Sequence, residues 1–89
     1  MIFVKRLVLD VLKPHTPNSL EFAKVLAEQE SDCRVAISVS GVDEKTETVV
    51  IMVEGEDIQF EKLTQAITSL GASLHSIDEV EVVNITTVD

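Results

Sequence analysis

The sequence predicts an α+β sandwich, in which helices cover one face of an antiparallel sheet. The hydrophobic period switches between two residues and about three and a half along the chain. The switches occur in the order strand, helix, strand, strand, helix, strand, as two strand-helix-strand units over residues 2–42 and 46–83. With 89 residues, the chain makes a single domain, 1–89, whose modest core would gain from association.

Ile2 to Leu12 is rich in β-branched residues and leucine. Its odd positions Leu7, Leu9 and Val11 form an apolar row, while Asp10 falls on the other face. Thr16-Pro17 is a helix-start signal, because threonine can accept a hydrogen bond from a free amide and proline at the first helical position loses none. The spacing predicts a helix over 17–30, with Leu20, Ala23, Leu26 and Ala27 inward and Phe22 and Val25 at the margins. The next strand alternates cleanly, with Cys33, Val35, Ile37 and Val39 on one face and Arg34, Ala36, Ser38 and Ser40 on the other.

Asp43-Glu44-Lys45-Thr46 is short and polar. It should close a hairpin onto a strand over 47–54 whose odd residues Val49, Ile51 and Val53 point inward. Glu56 or Asp57 introduces a second helix carrying Phe60, Leu63, Ala66, Ile67 and Leu70 at helical spacing. Gly71 follows where a left-handed residue ends such a helix. A last strand over 73–84 shows a phase break among Leu74, Ile77 and Val80, the mark of a bulge.

This element order is that of a ferredoxin-like βαββαβ sandwich, a four-stranded antiparallel sheet with two helices on one face and a spatial strand order of four, one, three, two. The opposite face would carry Val8, Leu12, Ala36, Val50 and Met52, with Asp10, Arg34 and Ser38 among them. A patch this apolar marks an interaction surface, and the favoured partner is a second copy of the chain.

Sixteen acidic residues against seven basic ones give a net charge of −9, and the only aromatic residues are three phenylalanines. That balance repels nucleic acid and anionic lipid and offers no stacking platform, so neither nucleic acid nor membrane is an expected partner. Cys33 is the only cysteine, so it can form no internal disulfide or paired-thiol site, and a reducing cytoplasm is the expected location. Gly55 and Gly71 are isolated and build no phosphate-binding loop. His75, Ser76 and Asp78 include the residue types of a hydrolytic triad, but neighbouring strand residues point to opposite faces. No cluster has the specificity of a catalytic motif, and no cofactor is evident.

Leu7-Val8-Leu9-Asp10-Val11-Leu12-Lys13-Pro14-His15, Asp57-Ile58-Gln59-Phe60-Glu61-Lys62-Leu63-Thr64 and Leu74-His75-Ser76-Ile77-Asp78-Glu79-Val80 resemble the small archaeal proteins grouped as domain of unknown function 211. The resemblance runs nearly end to end. It implies a ferredoxin-like fold, an archaeal cytoplasmic origin and ring-like oligomers, and it brings no established reaction.

Topology places the end of the first strand, the hairpin and the start of the last strand at one edge of the sheet. His15, His75, Asp43, Glu44 and Glu47 should therefore share a rim, the candidate site for a divalent cation (calcium, magnesium or zinc) or a small ligand. The ligands lack motif spacing. The expected function is a homo-oligomeric binding or structural module. The alternative is an enzyme whose active site is assembled between subunits from Asp10, His15, His75 and Asp78.

Overall fold

Strand β1 (Ile2–Pro14) is the axis of the molecule in the computed structural model, which describes residues 1–86. It is followed by α1 (Ser19–Ala27), β2 (Arg34–Val42), β3 (Thr46–Glu54), α2 (Phe60–Ser69) and β4 (Ser73–Asn84). The four strands form one antiparallel sheet in the order β2-β3-β1-β4, and both helices cover the same face. This is the ferredoxin-like arrangement expected from the alternating periods.

The odd row of β1 lies under the helices as expected. Leu7, Leu9 and Val11 are buried opposite Val53, Ile51 and Val49 of β3. Phe22 and Leu26 of α1 and Leu63, Ala66 and Ile67 of α2 close the core above them. Burying side chains of this size contributes roughly 1.5–3 kcal/mol each, so this cluster is the main source of stability.

Two helix starts differ from the sequence expectation. Helix α1 begins after Asn18, whose side-chain oxygen accepts from the Glu21 amide at 2.9 Å. An asparagine oxygen at this position satisfies an amide that the Thr16-Pro17 signal would leave free. The buried stripe turns accordingly: Phe22 is fully buried, while Leu20 is 64% exposed.

Helix α2 begins at Phe60, later than Glu56 or Asp57. Asp57 does not cap it, because its carboxylate instead accepts from the Val4 amide at 3.4 Å, and the Ile58 amide donates to the Val4 carbonyl at 2.9 Å. The segment before the helix is thus bound to β1. At the other end, Gly71 has φ 83°. The Gly71 and Ala72 amides donate back to the carbonyls of Thr68 and Ile67, the paired closure that a left-handed residue permits.

The phase break in β4 is resolved by bulges. Val8 and Leu9 face Glu79 and Ile77, leaving Asp78 extra; Asp10 and Val11 face Ser76 and Leu74, leaving His75 extra. Leu74, Ile77 and Val80, spaced by three, therefore all stand opposite the inward residues Val11, Leu9 and Leu7. A third irregularity leaves Lys5 of β1 unpaired with β4.

Candidate functional site

At the hairpin rim, the inward row of β1 continues past Val11 into Lys13 and His15, both of which meet Glu47 of β3. Lys13 is fully buried. Its ammonium donates to the Pro14 carbonyl at 2.8 Å and to Glu47 Oε1 at 3.3 Å, and it lies 5.8 Å from the centre of the Phe22 ring. This geometry compensates the desolvated charge with a carboxylate, a carbonyl and an aromatic face.

His15 uses both ring nitrogens. Nδ1 is 2.9 Å from Glu47 Oε2, and Nε2 is 2.9 Å from the Asp43 carbonyl and 3.0 Å from that of Glu44. All three partners are acceptors, so the arrangement fits the imidazolium, which donates from both nitrogens. The Glu47 carboxylate, and after it the Glu44 carbonyl, hold His15 above its ordinary pKa of 6.5. In turn His15, with Lys13 adding to it, holds Glu47 below 4.5 against the opposing effect of burial.

The rim thus brings His15 to the Glu47 carboxylate and to the backbone of Asp43 and Glu44, whose own side chains project into solvent. His75 is not part of it. The bulge in β4 carries His75 onto the open face, where Nδ1 lies 3.2 Å from Asp10 Oδ2. Among the described residues, no three His, Cys, Asp or Glu side chains are grouped to hold a metal ion.

The open face carries the residues expected there. Val8, Met52 and Ala36 lie side by side across β1, β3 and β2. Val8 is buried, Met52 and Val50 are half-buried, and Leu12 and Ala36 are exposed. Asp10 lies between Val8 and Leu12, opposite Val50, and is one-quarter exposed. Its partner is His75 of its own chain. Asp78 accepts from the Ser76 hydroxyl at 2.7 Å, so Ser76 is engaged with a carboxylate and not with His75.

Two features escape the sequence reading. Lys13 continues the odd row of β1, a signal masked by the expectation that lysine seeks water. The second is a row of charges across the open face: Arg34 of β2 opposite Glu54 of β3, Glu54 opposite Arg6 of β1, and Arg6 opposite Glu81 of β4. Arg6 also reaches Glu54 at 3.6 Å and Glu79 at 3.7 Å. Only the strand register reveals this row. Cys33 is half-buried outside the core: its thiol points at the carbonyls of Ala27 and Glu30, each at 3.5 Å, and burial, then the Glu30 charge, pushes its pKa up.

Fold and site together define a small α+β sandwich domain with one helix-covered sheet face and one open, partly apolar face. The chain belongs to the family described as DUF211, Uncharacterized ArCR, whose model matches residues 5–88. It is 40% identical over 77 residues to an uncharacterized protein of the archaeon Methanocaldococcus jannaschii, a match covering 86% of this chain and 79% of the relative. Among the described residues, no helix is long and apolar enough to cross a membrane.

Proposed function

We propose that the chain is a homo-oligomeric module of the archaeal cytoplasm that associates through the open face of its sheet. One observation carries this reading: both helices lie on one face, leaving Leu12, Val50 and Met52 accessible on the other around a buried Val8. Aliphatic side chains on adjacent strands form a patch whose removal from water contributes roughly 25 cal/mol per Å². The alternating charges of Arg34, Glu54, Arg6 and Glu81 favour a second copy as the partner, since such a row can complement itself.

Cation binding at the rim would draw on the side chains of Asp43 and Glu44, because Glu47 and His15 are engaged with each other. The rival reading, an enzyme assembled between subunits, has one pair in place, Asp10 with His75. His15 lies with Glu47 instead, and Asp78 with Ser76.

Native mass spectrometry of the wild type and of a Val50→Lys/Met52→Lys variant, each with and without chelator, tests the proposal. The wild type should be a defined oligomer and the variant a folded, smaller species. An unchanged assembly size in the variant would remove the open face from the interface. Metal in fixed ratio to subunits, lost on chelation, would support the rim as a cation site.

A further inference from the structure

The charge row on the open face selects one geometry of self-association, an inference that rests on the proposal above and specifies the partner's orientation. In spatial strand order β2, β3, β1, β4, the row reads Arg34, Glu54, Arg6, Glu81, or plus, minus, plus, minus. A row of even length and alternating sign changes sign at every position when reversed. A two-fold axis parallel to the strands, between two sheets stacked face to face, performs that reversal while keeping each row at its own height. A two-fold perpendicular to the strands does not: it carries the row to the opposite end of the sheet, over Thr48 and Leu12.

We infer that two copies pair through their open faces about a two-fold parallel to the strands, with Arg34 meeting Glu81 of the other copy and Arg6 meeting Glu54. The apolar row above fits the same operation. It reads Ala36, Met52, Val8, Glu79, and reversal places Val8 over Met52 at the centre, with Ala36 against the aliphatic stem of Glu79. Sheets that pack face to face lie about 10 Å apart with strands within about 30° of alignment. Arginine and glutamate side chains from the two sides are long enough to bridge that gap. The row itself is balanced, two arginines against two glutamates.

The arrangement makes a reciprocal prediction at Arg34 and Glu81, and the same exchange at Arg6 and Glu54 separates it from an edge-to-edge pairing of β2 with β4, which would bring only Arg34 and Glu81 together. Arg34→Glu alone places like charges at both Arg34-Glu81 contacts of the pair, and Glu81→Arg alone does the same with opposite sign. Each variant should raise the dissociation constant about 100-fold or more. An equimolar mixture of the two should form a heterodimer in which every contact is again between opposite charges. Affinity should return to within about tenfold of wild type.

Sedimentation velocity on each variant, on the mixture and on the wild type reads this directly, with circular dichroism confirming that each variant is folded. Should a reversal unfold the chain, Arg34→Gln and Glu81→Gln give the milder test, each weakening association about tenfold. Reversals that leave association unchanged, or a mixture that fails to re-form the pair while the wild type associates, would overturn the two-fold but leave the open face as the interface. A wild type that is monomeric throughout would overturn both.

Discussion

The imidazole of His15 lies 2.9 Å from the carboxylate of Glu47, joining the segment after β1 to the start of β3 beside the β2-β3 hairpin. Because the other ring nitrogen donates to the carbonyls of Asp43 and Glu44, one side chain holds the strand pair and the turn together. The rim expected to bind a cation already sets His15 and Lys13 against its Glu47 carboxylate.

The pH dependence of stability follows from that contact. His15 has its pKa raised by folding, so its contribution is fully present below about 6.5 and is lost as pH rises through the raised value. Glu47 has its pKa lowered, so its contribution is present above about 4.5 and is lost as pH falls through the depressed value. Urea denaturation from pH 4 to 9 should show a stability maximum in between, and His15→Gln should flatten the alkaline limb. An alkaline limb unchanged in the variant would show that the imidazolium contributes nothing.

Lys13 is buried beneath α1 with its charge answered by Glu47 and Pro14. Lys13→Ala should therefore destabilise the fold by about 2–5 kcal/mol, through the cavity left by its buried stem against Phe22. Lys13→Met keeps the stem and should lose less. Equilibrium denaturation of the two variants ranks them, and equal losses would mean that the packing of the stem is immaterial.

Phe22 and Leu20 lie on opposite sides of α1. Phe22→Ala should lose about 3–5 kcal/mol, whereas Leu20→Ala should stay within about 0.5 kcal/mol of wild type. Thermal unfolding monitored by circular dichroism separates them. A large loss at Leu20 would mean that α1 is rotated from the orientation described.

Gly71 ends α2 at a positive φ, with only Pro14 near the position that a Cβ would occupy, at 3.6 Å. Space is available, so the penalty for Gly71→Ala is conformational, about 1–2 kcal/mol. Gly55→Ala offers a contrast. Its added carbon would meet Cys33 Cβ at 3.3 Å, a close contact without a left-handed backbone. Chemical denaturation of both distinguishes strain from crowding.

Association of copies that each carry −9 accumulates repulsion, which salt screens. Lowering ionic strength from about 0.15 M to 0.01 M lengthens the Debye length from about 8 to 30 Å and should weaken the assembly. Calcium or magnesium should restore it better than sodium at equal ionic strength if Asp43 and Glu44 take up cations. Sedimentation equilibrium in matched salts provides the comparison.

The alternation of β2 and β3 and the helical stripe of α2 were legible because burial on one face repeats with the backbone period. The Gly71 stop was legible because few residues tolerate its conformation. The starts of α1 and α2 were not: the Thr16-Pro17 signal masked Asn18, which caps α1 through the Glu21 amide, and only the tertiary contact with Val4 shows that Asp57 binds β1. At the rim, sequence topology gathered His15 and Glu47 correctly but also included His75, whose position depends on a bulge that alternation alone cannot locate. The charge row needs residues from four strands in register, which no local pattern records.

The two bulges of β4 also make the strand longer than the stretch of β1 it lines. From Leu74 to Val80 it uses seven residues to match the five from Val11 to Leu7, so it holds slack. A residue lost between Leu74 and Ile77 can be absorbed by flattening the bulge at His75. One lost between Ile77 and Val80 can be absorbed at Asp78. In either case Leu74, Ile77 and Val80 keep their facing, whereas the same loss in β3, which has no extra residue against β1, would turn every later side chain to the wrong side of the sheet.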